Sequence, residues 1–161
     1  MYYGEYSLNI DEKGRITVPR RTRETMEVLG HIVWYMTRGF DRSIFLFHRD
    51  EWNKIRQYAS KFSSMDAKVL DFRRLFFSSV AEARLDNQGR LIIPAHLREH
   101  AGLDKEAVLI GVDDHLELWA KDTWRAFLAA KEAEYKTMAI PVFSSNEAAV
   151  AGISQEGLGE S

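Results

Sequence analysis

Five cations and no carboxylate fall between Lys13 and Arg23: Lys13, Arg15, Arg20, Arg21 and Arg23. Guanidinium and ammonium groups at this density suit phosphate oxygens. Each phosphate they neutralise releases condensed counterions and steepens the fall of log affinity with log salt by about 0.9. Arg15 directly follows a turn glycine, Gly14, on a strand edge. From there a planar guanidinium could pair with O6 and N7 of a guanine in a major groove. Lys13, at the tip of the same turn, suits a phosphate as a mobile point charge. A second window, Gln88 to Arg98, has the same outline but only Arg90 and Arg98 as cations.

A second motif points to different chemistry. His96 to His100 reads HLREH, the inverted zinc-peptidase pattern, in which two imidazoles one helical turn apart bind an ion beside a glutamate. A hydrolase needs a third ligand, and His31, His48 and His115 show no partner spacing. Arg98 and Glu99 of this stretch also match Arg23 and Glu24 of the first window, where Arg21 and Thr25 stand in the histidine positions. A catalytic helix would be an odd repeat of a non-catalytic one. No Ser-His-Asp arrangement, phosphate loop or aromatic RNA platform stands out. The expectation is therefore no enzyme, no catalytic residue, no metal site and no cofactor, with a zinc hydrolase as the remote alternative. An interaction scaffold lacking DNA readout is the nearer rival, because cations also serve RNA or acidic proteins.

The elements that position these residues come from a duplication. IDEKGRITVPRRTR, Ile10 to Arg23, returns seventy-five positions later as LDNQGRLIIPAHLR, Leu85 to Arg98. GFDRSIFLFHRDEW, Gly39 to Trp52, returns seventy-two positions later as GVDDHLELWAKDTW, Gly111 to Trp124, so copy one carries three extra residues in between. In copy one Leu8 and Ile10, then Ile16 and Val18, alternate with polar residues at the strand period. The turn joining them starts at Asp11, whose carboxylate can accept the turn's own amides, and ends at Gly14, which supplies a positive φ. Asp86 and Gly89 do the same in copy two. Asp11 with Arg15, and Asp86 with Arg90, are also spaced for internal salt bridges, which leaves base contact and hairpin bracing as alternatives for both arginines.

Pro19 and Pro94 suit a first helical turn, which predicts helices over Arg20 to Leu29 and over AHLREHA, with Gly102 as the C-cap of the latter. Strand pairs follow, VWYMT with SIFLF and AVLIGV with LELW. Helices N-capped by Asp50 and Asp122 come next, with Trp52 and Trp124 facing the core. A connecting helix spans Asp66 to Phe77. The spacing thus predicts an α+β chain, mainly β: a duplicated ββαββα unit closed into a pseudo-twofold β-barrel with peripheral helices. Residues 1–62 form the first repeat, 63–79 the connector, 80–137 the second repeat and 138–161 a flexible tail. A half of this size buries too little surface to offset chain entropy alone, and two halves can cover each other.

The chain has 161 residues and is 45% hydrophobic, enough for a core. Its apolar runs are too short to span a bilayer, and its start lacks a signal-peptide pattern, so a cytoplasmic location is expected. Zero cysteines exclude disulfides and thiolate chemistry. The net charge of −2 hides an asymmetry: the first 80 residues are net positive and the rest net negative.

The doubled D-x-x-G-R-x-x-x-P-x-x-x-R pattern resembles the MraZ family of bacterial transcriptional regulators. So do DFRRLFFSS before the second copy and GLDKEAVLIGVDDHLELW after it, and together the resemblance covers nearly all of residues 1–140. It implies a swapped-hairpin, AbrB-like fold and a nucleoid-associated protein that binds double-stranded DNA at short direct repeats upstream of its own division and cell wall operon, as a ring-shaped homo-oligomer. No membrane and no small-molecule substrate are implied. The family's first-copy helix often begins with neutral residues where this chain has Arg20 and Arg21.

Overall fold

The computed structural model describes residues 1–62 and 65–144. They fall into two compact units, one running to Trp124 and the other beginning at Arg125. Both repeats up to their tryptophans therefore belong to one unit. Copy one supplies β1 (Glu5–Asn9), β2 (Arg15–Thr17), α1 (Arg20–Leu29), β3 (Val33–Arg38), β4 (Ile44–His48) and α2 (Arg49–Ser60). The connector is α3 (Ala67–Ser78), and copy two repeats the order as β5 (Ala81–Arg84), β6 (Arg90–Ile92), α4 (Ala95–Ala101), β7 (Glu106–Val112), β8 (His115–Ala120) and α5 (Lys121–Lys131). Among the described residues no helix is long and apolar enough to cross a membrane.

The short helices have matching ends. Each follows a proline, whose missing N–H would have no intrahelical partner there. Each stops at a left-handed glycine, Gly30 at φ 69° and Gly102 at φ 62°. His31 N donates back to Met26 O at 2.8 Å, and Leu103 N to Arg98 O at 2.9 Å, which closes the same C-terminal motif in both copies. Asp66 N-caps α3, accepting from Lys68 N and Val69 N. Asp50 and Asp122 are not N-caps. Their helices begin one residue earlier, at Arg49 and Lys121, and both carboxylates lie in the first turn, where they complement the positive end of the helix dipole.

The strands form a six-stranded sheet in the order β1-β7-β8-β4-β3-β5 and a separate two-stranded ribbon, β2-β6. All pairings are antiparallel. Exchanging each strand for its counterpart in the other copy reverses the sheet order and leaves it otherwise unchanged, so a pseudo-twofold axis runs between β4 and β8. The expected closed barrel is not formed: the sheet is open, with β1 and β5 as edges. A physical cause lies in the ribbon, whose strands are three residues each. They start after a tight turn and stop just before Pro19 and Pro94, which have no N–H to extend a ladder. β1 does not pair with β2 as a strand; the isolated bridge Ile10↔Ile16 links β2 to the residue after β1.

The ribbon covers a core drawn from both copies. Ile16, Val18, Trp34, Met36, Ile44 and Leu46 pack with Leu91, Ile93, Leu97, Leu109, Leu116 and Leu118. Ile44 and Leu46 are the counterparts of Leu116 and Leu118. Burying each such side chain contributes about 1.5–3 kcal/mol, and neither copy could bury its share alone. Trp52 belongs to a second cluster with Phe47 and Phe76. It stacks on Tyr35 at 5.3 Å, which is the core role expected of it. Thr37 Oγ1 donates to Phe76 O at 2.6 Å and meets Ser79 Oγ at 2.9 Å, tying the end of α3 to β3.

In the second unit the chain stays helical over 135–144, where a loose tail was expected from 138. Phe127, Leu128, Lys131, Tyr135 and Met138 line one groove there, so the helical spacing of apolar groups continues beyond α5. The rest of the expected tail, 145–161, lies outside the described residues.

Candidate nucleic-acid interface

The two turns are braced in the same way. Asp11 Oδ1 accepts from Lys13 N and Arg15 N, both at 2.9 Å, and Oδ2 accepts from Arg15 Nε at 2.6 Å. Asp86 Oδ1 accepts from Gln88 N and Arg90 N at 2.9 Å, and Oδ2 from Arg90 Nε at 2.7 Å. These bonds hold both carboxyls below the usual aspartate range, in first place through the N–H of Arg15 and of Arg90. Gly14 and Gly89 have φ of 75° and 73°, the left-handed region that L side chains avoid.

Each turn is clasped by the other copy. Ile93 N donates to Gly14 O at 2.8 Å and Val18 N to Gly89 O at 2.9 Å. The Arg98 guanidinium lies over Gly14, where a Cβ would come within 2.7 Å of its Cζ, and Arg23 lies over Gly89, where a Cβ would come within 2.6 Å of its Cδ. Arg98 Nε also donates to Ile93 O at 3.1 Å. Arg23 thus ties α1 to the copy-two turn, and its Nε is buried with no hydrogen-bond partner among the described residues.

The register Arg15↔Ile92, Ile16↔Leu91, Thr17↔Arg90 turns Ile16 and Leu91 inward, both fully buried. Arg15, Thr17, Arg90 and Ile92 face outward. Arg15 and Arg90 are diagonal neighbours on that outer face, a relation that puts backbones about 7–8 Å apart. Each guanidinium is held through Nε, and among the described residues no hydrogen bond occupies its two terminal nitrogens. The pairing needed for hairpin bracing is present, with 22% of the Arg15 side chain and 24% of the Arg90 side chain exposed.

The cations that are contiguous in sequence are not contiguous in space. Because the ribbon strands come from different copies, Lys13 sits at the ribbon end where α4 begins. Arg20 and Arg21 sit at the opposite end, beside the Asp86 to Gly89 turn. Lys13, Arg20 and Arg21 are exposed. Arg20 Nε bonds Glu24 Oε1 at 2.8 Å, while Arg21 donates to Tyr3 Oη and lies 4.7 Å from the centre of the Tyr3 ring. The positive groups run along the ribbon, with Arg15 and Arg90 in its two end pairs, on either side of Ile16↔Leu91. Sequence reasoning had no signal for this arrangement, since it depends on which copy's strand each β2 or β6 pairs with.

The two HLREH imidazoles turn to carbonyls of different segments: His96 Nε2 bonds the Ser79 carbonyl at 2.9 Å and His100 Nε2 bonds the Ser43 carbonyl at 3.1 Å. Among the described residues neither belongs to a cluster of three metal-ligating groups.

Comparisons with known proteins agree with this architecture. The family model described as "MraZ protein, putative antitoxin-like" matches twice, over residues 1–75 and 76–140. A protein of Syntrophomonas wolfei subsp. wolfei named Transcriptional regulator MraZ is 39% identical over 139 residues, covering 86% of this chain and 94% of its own. One of the same name from Carboxydothermus hydrogenoformans is 40% identical over 141 residues, with the same coverage. Among solved structures, the solution structure of PHS018 from Pyrococcus horikoshii aligns over 73% of this chain and 88% of its own with 15% identity and a TM-score of 0.29, too low to bear on the fold. With both repeats matched and the order of elements running twice through the chain, this protein belongs to the MraZ family.

Proposed function

We propose that this chain is a cytoplasmic, nucleoid-associated regulator of transcription that binds double-stranded DNA through the outer face of the β2-β6 ribbon. The observation that carries the reading is the symmetric placement of Arg15 and Arg90 on the outer face of a two-stranded ribbon, each anchored by Nε and each with no hydrogen bond on its terminal nitrogens among the described residues. A two-stranded ribbon fits a major groove, and a bidentate arginine–guanine pair is worth about 1–3 kcal/mol of discrimination. Lys13, Arg20 and Arg21 extend the contact to phosphates on either side. The names of the relatives support regulation of transcription, and nothing in this reading calls for catalysis. The exchange of β2 and β6 between copies supports the swapped-hairpin arrangement of the AbrB-like fold.

The family resemblance extends the proposal to short direct repeats upstream of the chain's own division and cell wall operon, bound by a ring of identical chains. An apolar groove between α2 and α3, exposing Tyr58, Phe62 and Phe72, supports self-association, since exposed apolar patches mark contact surfaces. Several ribbons on one duplex would raise avidity by about 100- to 10,000-fold with no new contact. The test is a mobility shift on the upstream region and on a scrambled duplex, at two salt concentrations. Arg15→Ala should weaken binding to the upstream region alone, by about 10- to 100-fold. Equal losses on both duplexes, or none, would return the ribbon to a scaffold role without DNA readout. Changing the repeat spacing by half a helical turn should abolish the ring's avidity.

A further inference from the structure

Beyond the ribbon, the structure gathers groups that lie far apart in the chain. His31 follows the Gly30 cap, His48 ends β4, and Asp50 lies in the first turn of α2. The β3–β4 register pairs Trp34 with His48, which brings His31, three residues ahead of Trp34, alongside. One ligand atom from each of the three residues lies within 4.8 Å of the other two. The imidazoles are stacked, with centroids 3.7 Å apart and planes inclined by 7°. His31 Nδ1 and Tyr2 Oη are hydrogen-bonded at 2.6 Å. His48 Nδ1 is buried with no partner among the described residues.

We propose that His31, His48 and Asp50 form a binding site for a divalent transition metal, zinc above all. Two imidazoles and one carboxylate are a ligand set suited to zinc rather than to magnesium or calcium, with a water completing the tetrahedron. Tyr2 fits the role of the outer group that fixes a ligating histidine's orientation. An imidazole nitrogen binds a metal through a lone pair that lies in the plane of its ring. The lone pairs lie in parallel ring planes and cannot meet at one ion in the stacked form. Metal entry therefore turns His48 out of the stack, and its orphaned nitrogen gains a partner in the same movement.

The second repeat shows that the fold does not require these histidines. Their counterparts are Leu103 and Ala120, while Asp50 matches Asp122. Copy two retains the carboxylate that a helix start favours and lacks both imidazoles. Arg49 and Arg84 line a cavity together with His31 and Asp50, which makes an inorganic anion the competing occupant.

The experiment uses the untagged full chain, titrated with Zn2+ by calorimetry and, separately, with Co2+ to follow the visible d–d bands of a tetrahedral site. Inorganic phosphate is titrated in parallel. One Zn2+ per chain is expected, together with a cobalt spectrum. Both should be lost in His31→Leu and His48→Ala, which install the copy-two residues, and in Asp50→Asn, which leaves the core untouched. Tyr2→Phe should weaken zinc by about 10- to 100-fold. If wild-type chain takes up no zinc at micromolar concentrations, if binding survives His48→Ala and Asp50→Asn, or if phosphate binds and zinc does not, the proposal is overturned.

Discussion

Asp11 and Asp86 accept the same three hydrogen bonds, at 2.9, 2.9 and 2.6 Å in copy one and at 2.9, 2.9 and 2.7 Å in copy two. Gly14 and Gly89 share a left-handed backbone, and Arg23 and Arg98 cross over to cover them. Where the copies part is outside this frame. Lys13 corresponds to Gln88, Arg20 to Ala95 and Arg21 to His96. The positions that hold the hairpins together are the ones written twice, and the added charges stand where copy two manages without them. The turn frame therefore forms without Lys13, Arg20 and Arg21, and these are the positions the proposed DNA contact draws on.

The largest test of this comparison lies in the shared core. Ile16→Ala and Leu91→Ala should each cost about 2–5 kcal/mol in urea unfolding, by similar amounts and in one cooperative transition. Two separate transitions would mean that the copies fold independently. Next come the turns. Gly14→Ala and Gly89→Ala should each cost at least about 1–2 kcal/mol from the left-handed backbone, plus the displacement of an arginine. Because the displaced arginine belongs to the other copy, Gly14→Ala combined with Arg98→Ala should cost less than the sum of the two, by thermal unfolding.

A smaller effect separates charge from frame. Lys13→Gln, which writes the copy-two residue into copy one, should reduce the slope of log affinity against log salt by about 0.9, and Gln88→Lys should raise it by as much. Neither should shift the melting temperature. The smallest effect concerns pH. Both aspartates are held below their ordinary value when folded, so their bonds contribute fully above the unfolded value of about 3.9. That contribution is lost as pH falls through the lower folded values. Carboxyl titrations followed by NMR should show Asp11 and Asp86 moving together, and a split between them would reveal that the frames differ after all.

Much of the architecture was legible because the chain states it twice. Helix α1 occupies the predicted Arg20–Leu29, and α4 the predicted Ala95–Ala101, because proline and glycine punctuate both. The Asp11–Arg15 and Asp86–Arg90 pairs were readable as one of two alternatives, since a four-residue spacing is local. Strand partnership was not readable: alternation assigns Ile16 and Leu91 to a buried face but says nothing of which strand lies beside them. The closed barrel failed on that point, and so did the picture of one continuous basic cluster. The approach of His31 to His48 was hidden for the same reason, since sixteen residues of hairpin lie between them in the chain.

One consequence follows from joining the two halves of a near-symmetric ribbon in a single chain. Two separate identical halves would present the same groups at both tips, and a bound polymer could be flipped end for end with no change in contact. Here one tip offers a lysine and the other a pair of arginines. The surface has a heading, and what lies along it is read from left to right differently than from right to left.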